Sequence, residues 1–373
     1  YPSGQASGTH WGTPISVLET TSQTAYFFNF HVRDLGNFTV TGPSGSGKTV
    51  FLGFISAQAQ RVQPRPKLVL VDKDRGLEIF VRALGGQYEV LRAGEPTGFN
   101  PLQLENTATN REFLHRLLKA MLDPADGHGF SQGEEDTLER AIGRICQAPV
   151  EQRTLANLSG LLMGRARSDA NDLQSRLRPW FEGEKAWLFN APRDVLSFSG
   201  RRIFGFDMTH ILDNQEVRTP ALMYLYHRLD ALLTGEPVLI FMDEGWKLLQ
   251  DPVFSNYIVD KMKTIRKLNG IVGFGTQSAA DIVNSKLAHT LIEQSATNIF
   301  FPNPKADEAS YGGAFRLSAR EVRWIRTTPA ESRSFLIKHD QDSVIARLNL
   351  RGMPELIKVL SGRTETVAEL DAL

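Results

Sequence analysis

Apolar and polar positions change period twice along the chain. Up to about residue 104, short apolar runs alternate with helical stretches. Residues 15–18 and 25–32 read as strands around a polar turn at 20–24, which predicts a β-hairpin. Residues 38–41 predict a short strand and 50–59 an apolar helix. After a Pro-rich turn at 63–66, residues 67–71 form a continuous apolar run, the pattern of a strand buried on both faces of a parallel sheet. A helix over 77–84 and a strand over 88–91 complete an alternation that predicts an α/β fold, a parallel sheet covered by helices.

From about 105 to 187 the period is helical. Phe113, Leu114, Leu117, Leu118, Met121 and Leu122 share one helix face. Leu138, Ile142 and Ile145 mark a second helix, and Leu155, Leu158, Leu161 and Leu162 a third. Strand patterns return at 202–207, 238–242, 271–274 and 297–301, with a helix over 219–233 between the first two. A late hairpin over 334–337 and 344–348 turns at 339–342. The tail, over 353–360 and 366–373, predicts helix with a face for a neighbour. No internal repeat or low-complexity tract interrupts this pattern. The expected division is a core at 1–104 and 201–350, an inserted all-α subdomain at 105–200 and a helical tail at 351–373.

Composition narrows the class. A chain of 373 residues, 41% hydrophobic and 23% charged, suits one large globular domain plus an insertion. Lys+Arg equals Asp+Glu at 42 each, so the global basic field of a dedicated nucleic-acid binder is missing. The single cysteine, Cys146, excludes an internal disulfide. It shares an apolar helix face with Leu138, Ala141, Ile142 and Ile145, so it reads as a core thiol rather than a nucleophile, and a reducing compartment fits. No apolar run approaches the roughly 18 residues of a membrane span. No signal peptide is visible, and the start at Tyr1 without Met leads to the expectation of a piece of a longer polypeptide.

Candidate chemistry changes the picture most. Gly42, Pro43, Ser44, Gly45, Ser46, Gly47, Lys48 and Thr49 match the phosphate-binding pattern GxxxxGK[ST] without mismatch. They stand between a predicted strand and a helix that opens at Val50, as the mechanism requires. Glycines let the backbone fold around a polyphosphate with its N–H groups inward, and the helix offers its positive end to the same charge. Lys48 is expected at the β/γ-phosphates, and the Thr49 hydroxyl at Mg²⁺. ATP and Mg²⁺ are the cofactors this implies.

The run 238–242 followed by Asp243 and Glu244 is a Walker B strand. Its apolar residues bury the strand, which fixes Asp243 at the C-terminal rim where open α/β sheets bind ligands. Asp243 is expected to hold Mg²⁺ through water, and Glu244 to orient or deprotonate the attacking water. Gln277, at the end of the next predicted strand, is a candidate to sense phosphate and position water. The basic stretch 261–267 includes Arg266, eleven residues before Gln277. Arg266 is the first candidate for an arginine supplied in trans by a neighbouring subunit, with Arg323 and Arg326 beside Trp324 as alternates. Asp72 and Asp74 end another buried strand, either at the Mg²⁺ shell or ring interface or as solvated turn carboxylates. His10, His31 and His210 lack metal-ligand spacing, so zinc is not indicated. No aromatic residue stands out as an adenine seat.

Further stretches link these motifs: Phe28-Asn29-Phe30-His31, Asp72-Lys73-Asp74-Arg75-Gly76, Gly98-Phe99-Asn100-Pro101, Trp187-Leu188-Phe189-Asn190, Asp243-Glu244-Gly245-Trp246 and Gly275-Thr276-Gln277-Ser278. With them, nearly the whole chain resembles the C-terminal ATPase domain of the CagE/TrbE/VirB-type ATPases of bacterial type IV secretion and conjugation. The resemblance implies a RecA-like P-loop NTPase core of the FtsK/HerA type with an all-α insertion after the Phe-Asn-Pro segment. It implies ATP hydrolysis that powers pilus biogenesis and substrate transfer, at the cytoplasmic side of the bacterial inner membrane and with other secretion components as partners. Hexamers are the implied working form, with a monomer open for the isolated domain, and Arg266 matches a basic position that related coupling ATPases use as an arginine finger. Two other readings stay open: a DNA translocase of the coupling-protein type, and a nucleotide-gated assembly module without significant turnover. Zero net charge disfavours the first and the intact Glu244 the second.

Overall fold

The apolar runs become the middle of one sheet. The computed structural model describes residues 3–123, 129–162, 172–244, 252–362 and 367. Its strands are β1 (Ser16–Thr20), β2 (Ala25–Phe28), β3 (Phe38–Thr41), β4 (Lys67–Asp72), β5 (Gln87–Val90), β6 (Ile203–Asp207), β7 (Val238–Met242), β8 (Gly270–Thr276), β9 (Thr297–Phe300), β10 (Ser334–His339) and β11 (Asp342–Arg347). Among the described residues they form an eleven-stranded sheet in the order β2-β1-β11-β10-β9-β3-β8-β7-β4-β6-β5. From β9 to β5 every pairing is parallel, and from β9 to β2 every pairing is antiparallel. Strands β3, β6, β7, β8 and β9 are buried at every position, which is why β7 reads as a continuous apolar run rather than an alternating one. The mixed α/β fold is therefore the one expected.

Strand order decides where the chemistry falls. β8 lies between β3, which leads into the phosphate loop, and β7, which ends at Asp243 and Glu244. Thr41 stands opposite Thr276, Met242 opposite Phe274 and Val71 opposite Met242, so the C-terminal ends of β3, β8, β7 and β4 share one rim.

The chain divides into two compact units, Tyr1–Val90 with Ser199–Met208 and Leu232–Leu373, and Leu91–Phe198 with Thr209–Ala231. The first unit holds the whole sheet. Its core holds an aromatic cluster in which Phe28 packs edge to face on Phe30 and Phe51, Phe51 edge to face on Phe301, and Phe335 tilted against Phe51. The tail helix Pro354–Ser361 packs one face on its own chain: Leu360 is buried, and a β-carbon on Gly53 would stand 2.9 Å from its Cδ2. The second predicted tail segment, 366–373, lies outside the described residues apart from Val367.

The second unit is helical. Helices Ala108–Met121, Gln132–Gln147 and Leu155–Leu161 bury the apolar faces read from the sequence, and Thr107, Ser131 and Thr154 cap them. Cys146 is buried there, and burial pushes its thiol up, away from nucleophile behaviour. The Phe-Asn-Pro segment is a structural hub. The buried Asn100 side chain accepts from Leu102 N and donates to Ala191 O at 2.8 Å and Arg153 O at 3.0 Å. The sequence placed residues 209–231 with the core, but helix Gln215–Asp230 belongs to this unit. There His227 stacks on Phe113 at 3.8 Å and hydrogen-bonds Asn110 at 2.8 Å. Apolar period reports a buried face and not the body that covers it. The helix also starts before Thr219, because Pro220 sits inside it rather than in its first turn.

Candidate functional site

β3 ends at Thr41, and the loop from Gly42 carries the chain into helix Lys48–Ala59. Gly47 caps that helix with φ 97° and Gly45 has φ 78°, backbone that L side chains rarely adopt. Gly42 is required for a different reason: a β-carbon there would stand 2.7 Å from Phe301 Cβ and 2.8 Å from Ser46 Oγ. Lys48 and Ser46 are buried, while Ser44 and Gly45 are exposed. The buried hydroxyls of Ser46 and Thr41 have no hydrogen-bond partner. Buried polar atoms are normally paired, so an orphan hydroxyl inside a glycine-shaped loop at a helix N-terminus fits a phosphate group.

The structure brings the Walker B pair to this loop. Lys48 Nζ lies 3.0 Å from Asp243 Oδ1 and 3.4 Å from Glu244 Oε1. Gln277 Nε2 donates to the same Glu244 oxygen at 2.9 Å. Glu244 reaches this position from left-handed backbone, φ 54°, a strain of order 1–3 kcal/mol that concentrates at functional sites. Two carboxylates, an ammonium and an amide therefore meet at one rim, with Thr49 beside them on the helix. Oxygen donors of this kind, Thr49 and Asp243, are the residues that could hold a hard divalent cation such as Mg²⁺.

Gly275 of β8 supports Asp243. A β-carbon on Gly275 would stand 2.4 Å from Asp243 Oδ1 and 2.9 Å from Phe241 Cζ. Gly275→Ala is expected to push the carboxylate aside and to cost about 1–3 kcal/mol of stability, as overpacking does. Nucleotide affinity measured with and without Mg²⁺ checks this: the Mg²⁺-dependent part should fall and the Mg²⁺-independent part remain.

Asp72 is not a solvated turn carboxylate. It is 1% exposed and accepts hydrogen bonds from the Tyr88 hydroxyl and Leu77 N–H. Burial holds its carboxyl well above the usual carboxylate range, and the nearby charges of Asp207 and Asp243 push the same way. Asp74 is exposed beside Lys73. His31 is buried and stacks on His10 at 4.6 Å, a packing role, and burial pushes its pKa down to about 3.

Not every candidate is drawn in. Arg266 lies in the 3-10 turn Ile265–Leu268 before β8, at the strand end away from Gln277, and pairs with Asp34 at 3.3 Å. Arg323 and Arg326 are exposed on helix Ala319–Thr327 and do not line the cavity around the loop. Gly245 and Trp246 lie outside the described residues.

That cavity, about 1060 Å³, is lined by the loop, Asp243, Glu244, Gln277 and residues the sequence did not flag. Phe301, Phe335, Leu350, Pro354 and Ile357 supply apolar lining, and Arg333, Arg347 and Arg351 supply charge. They come from the antiparallel side of the sheet and from the tail, where no local pattern marks them. The late hairpin was the only signal of this wall.

A family model described as the TraG P-loop domain matches residues 28–309. The type IV secretion system protein virB4 of Bartonella henselae is 43% identical over 370 residues, 98% of this chain and 46% of that protein. The type IV secretion system protein PtlC of Bordetella pertussis is 38% identical over 385 residues, again 98% and 46%. The chain thus spans about half the length of the curated relatives it matches. Among solved structures, VirB4 of Thermoanaerobacter pseudethanolicus matches with TM-score 0.71 at 18% identity, over 94% of this chain and 100% of that one. The plasmid coupling protein TrwB in complex with ADP and Mg²⁺ matches with TM-score 0.54 at 12% identity, over 84% and 86%. At these identities the solved structures show a shared fold.

Proposed function

The chain belongs to the TraG P-loop domain family as a VirB4-type member, and from that premise we propose that it hydrolyses ATP to power a type IV secretion or conjugation machine. One observation carries the reading: Lys48, Asp243, Glu244 and Gln277 converge on the phosphate loop with contacts of 2.9–3.4 Å.

The residues divide the work. The loop from Gly42 to Val50 wraps the phosphates with backbone N–H groups that follow Pro43, the Gly42 N–H being held by Thr276 O at 3.0 Å, and Lys48 offers its ammonium to the β/γ-phosphates. Thr49 and Asp243 are the residues that would hold Mg²⁺. An ion held there would supply positive charge to offset the negative charge of the phosphates. Glu244 takes the proton of the attacking water, and Gln277, bonded to Glu244, holds both in line with the γ-phosphate. Arg266 lies apart from its own loop, which suits a cation delivered to the site of the next subunit. The working form is a homo-hexamer on the cytoplasmic side of the bacterial inner membrane, peripheral to it and in contact with other secretion components. The cargo, protein or nucleic acid, is left open. Among the described residues no helix is long and apolar enough to cross a membrane.

ATP turnover measured against protein concentration, with and without single-stranded DNA, tests this. Specific activity should rise with concentration. Arg266→Ala should bind ATP normally and lose the concentration-dependent part. Strong, salt-sensitive stimulation by DNA would favour a coupling-protein-type translocase instead, because phosphate contacts release counterions. Bound ATP without turnover would leave a nucleotide-gated assembly module.

A further inference from the structure

Arg333 ends the short 3-10 turn Ala330–Ser332 with φ 54° and ψ 24°. Left-handed backbone costs a residue with a β-carbon on the order of 1 kcal/mol, a cost glycine escapes. The conformation is fixed from both sides: Arg333 N–H donates to Ala330 O at 3.2 Å, and Arg333 O accepts from Leu348 N at 3.3 Å. The next residue, Ser334, is buried and stands opposite Arg347 in the β10–β11 ladder. A rigid hairpin thus aims one side chain. Arg333 Nη1 lies 3.9 Å from where a β-carbon on Gly47 would stand, as close to the phosphate loop as the Phe301 ring edge. It lines the same cavity as Lys48, Glu244 and Gln277. Lys48 is already engaged by two carboxylates. Among the described residues, no hydrogen bond or ion pair engages the Arg333 guanidinium. An exposed arginine is ordinarily a solvated one; strained backbone, a fixed hairpin and a phosphate loop within reach make this one different.

We propose that Arg333 is a further catalytic residue, contacting the γ-phosphate bound in its own chain; this rests on the reading that the loop binds ATP. In the step, the water oxygen bonds to the γ-phosphorus and the bond from that phosphorus to the β–γ bridging oxygen breaks. ADP leaves with the electron pair, inorganic phosphate forms, and the water proton passes to Glu244 and then to solvent. Arg333 neither gives nor takes a proton. It supplies fixed positive charge where negative charge gathers on the transferring group, in a planar fork that matches phosphate oxygens.

The test uses the whole chain with Arg333→Gly and Arg333→Lys. Glycine relieves the left-handed backbone, so Arg333→Gly should melt no lower than the parent. Its kcat should fall about 100-fold or more, the range for loss of one transition-state charge partner, with KM and ATP affinity changed only a few-fold. Affinity for ADP with aluminium fluoride, a mimic of the planar transferring group, should fall with kcat, and Arg333→Lys should restore part of both. Mixing Arg333→Gly with Glu244→Gln should restore no turnover, since each site still lacks one of its own groups. Recovery on mixing would place Arg333 in a neighbour's site and overturn the proposal. Unchanged kcat in Arg333→Gly would overturn it while leaving ATP hydrolysis standing. Failure of the parent chain to bind or hydrolyse ATP would overturn both readings.

Discussion

Glu244→Gln should bind ATP with Mg²⁺ as tightly as the parent chain and turn it over about 10²–10⁴ times more slowly, the usual contribution of a positioned general base. The amide keeps the shape of the side chain and can still face Lys48 and Gln277, which now meet at Glu244 Oε1. It cannot accept the water proton. Loss of one carboxylate charge beside Lys48 argues for equal or slightly stronger nucleotide binding, so affinity and rate should separate. Calorimetry for binding and phosphate release for turnover check this. Equal turnover in the two chains would remove Glu244 from the chemistry.

Lys48→Ala should have the opposite signature and lose binding itself. Lys48 is buried at 7% exposure, and its ammonium stands 3.0 Å from Asp243 and 3.4 Å from Glu244. Truncating one partner of a buried charge pair costs about 2–5 kcal/mol, which is roughly 30-fold to several thousand-fold in affinity. Removing it also leaves two carboxylates facing the incoming phosphates with less compensation. Titration of the mutant with ATP, in the presence of Mg²⁺, should show little binding at concentrations that saturate the parent. Unchanged affinity would mean that the nucleotide phosphates lie elsewhere.

What the sequence made legible follows from physical range. The phosphate loop works through neighbouring backbone N–H groups and one helix end, so its residues must be contiguous, and Gly42 to Thr49 could be read directly. The Walker B strand announces itself because full burial needs an unbroken apolar run, and Val238–Met242 is buried throughout. Gln277 was found by the same logic of strand ends. Its contact with Glu244 depends on β8 lying between β3 and β7, a long-range order that no local pattern encodes. Arg333 was missed for that reason. It reaches the loop from a hairpin that pairs on the antiparallel side, nearly three hundred residues later in the chain. Asp72 shows the same limit: its burial comes from Tyr88 and the rim around it, while in sequence it looks like any acidic strand end. Helix Gln215–Asp230 reads as a helix but falls in the other unit, because its buried residues are spread round the helix and name no partner. The resemblance, by contrast, ran through such hubs as Asn100, whose three side-chain bonds fix the turn around it.

The central claim is hydrolysis of Mg²⁺-bound ATP at this loop, and phosphate release by the parent chain and Glu244→Gln, each with Mg²⁺ and with EDTA, tests it most directly. Release that saturates with ATP, requires Mg²⁺ and disappears in Glu244→Gln is the predicted result. Release that persists in the mutant or in EDTA at the parent rate would contradict the account.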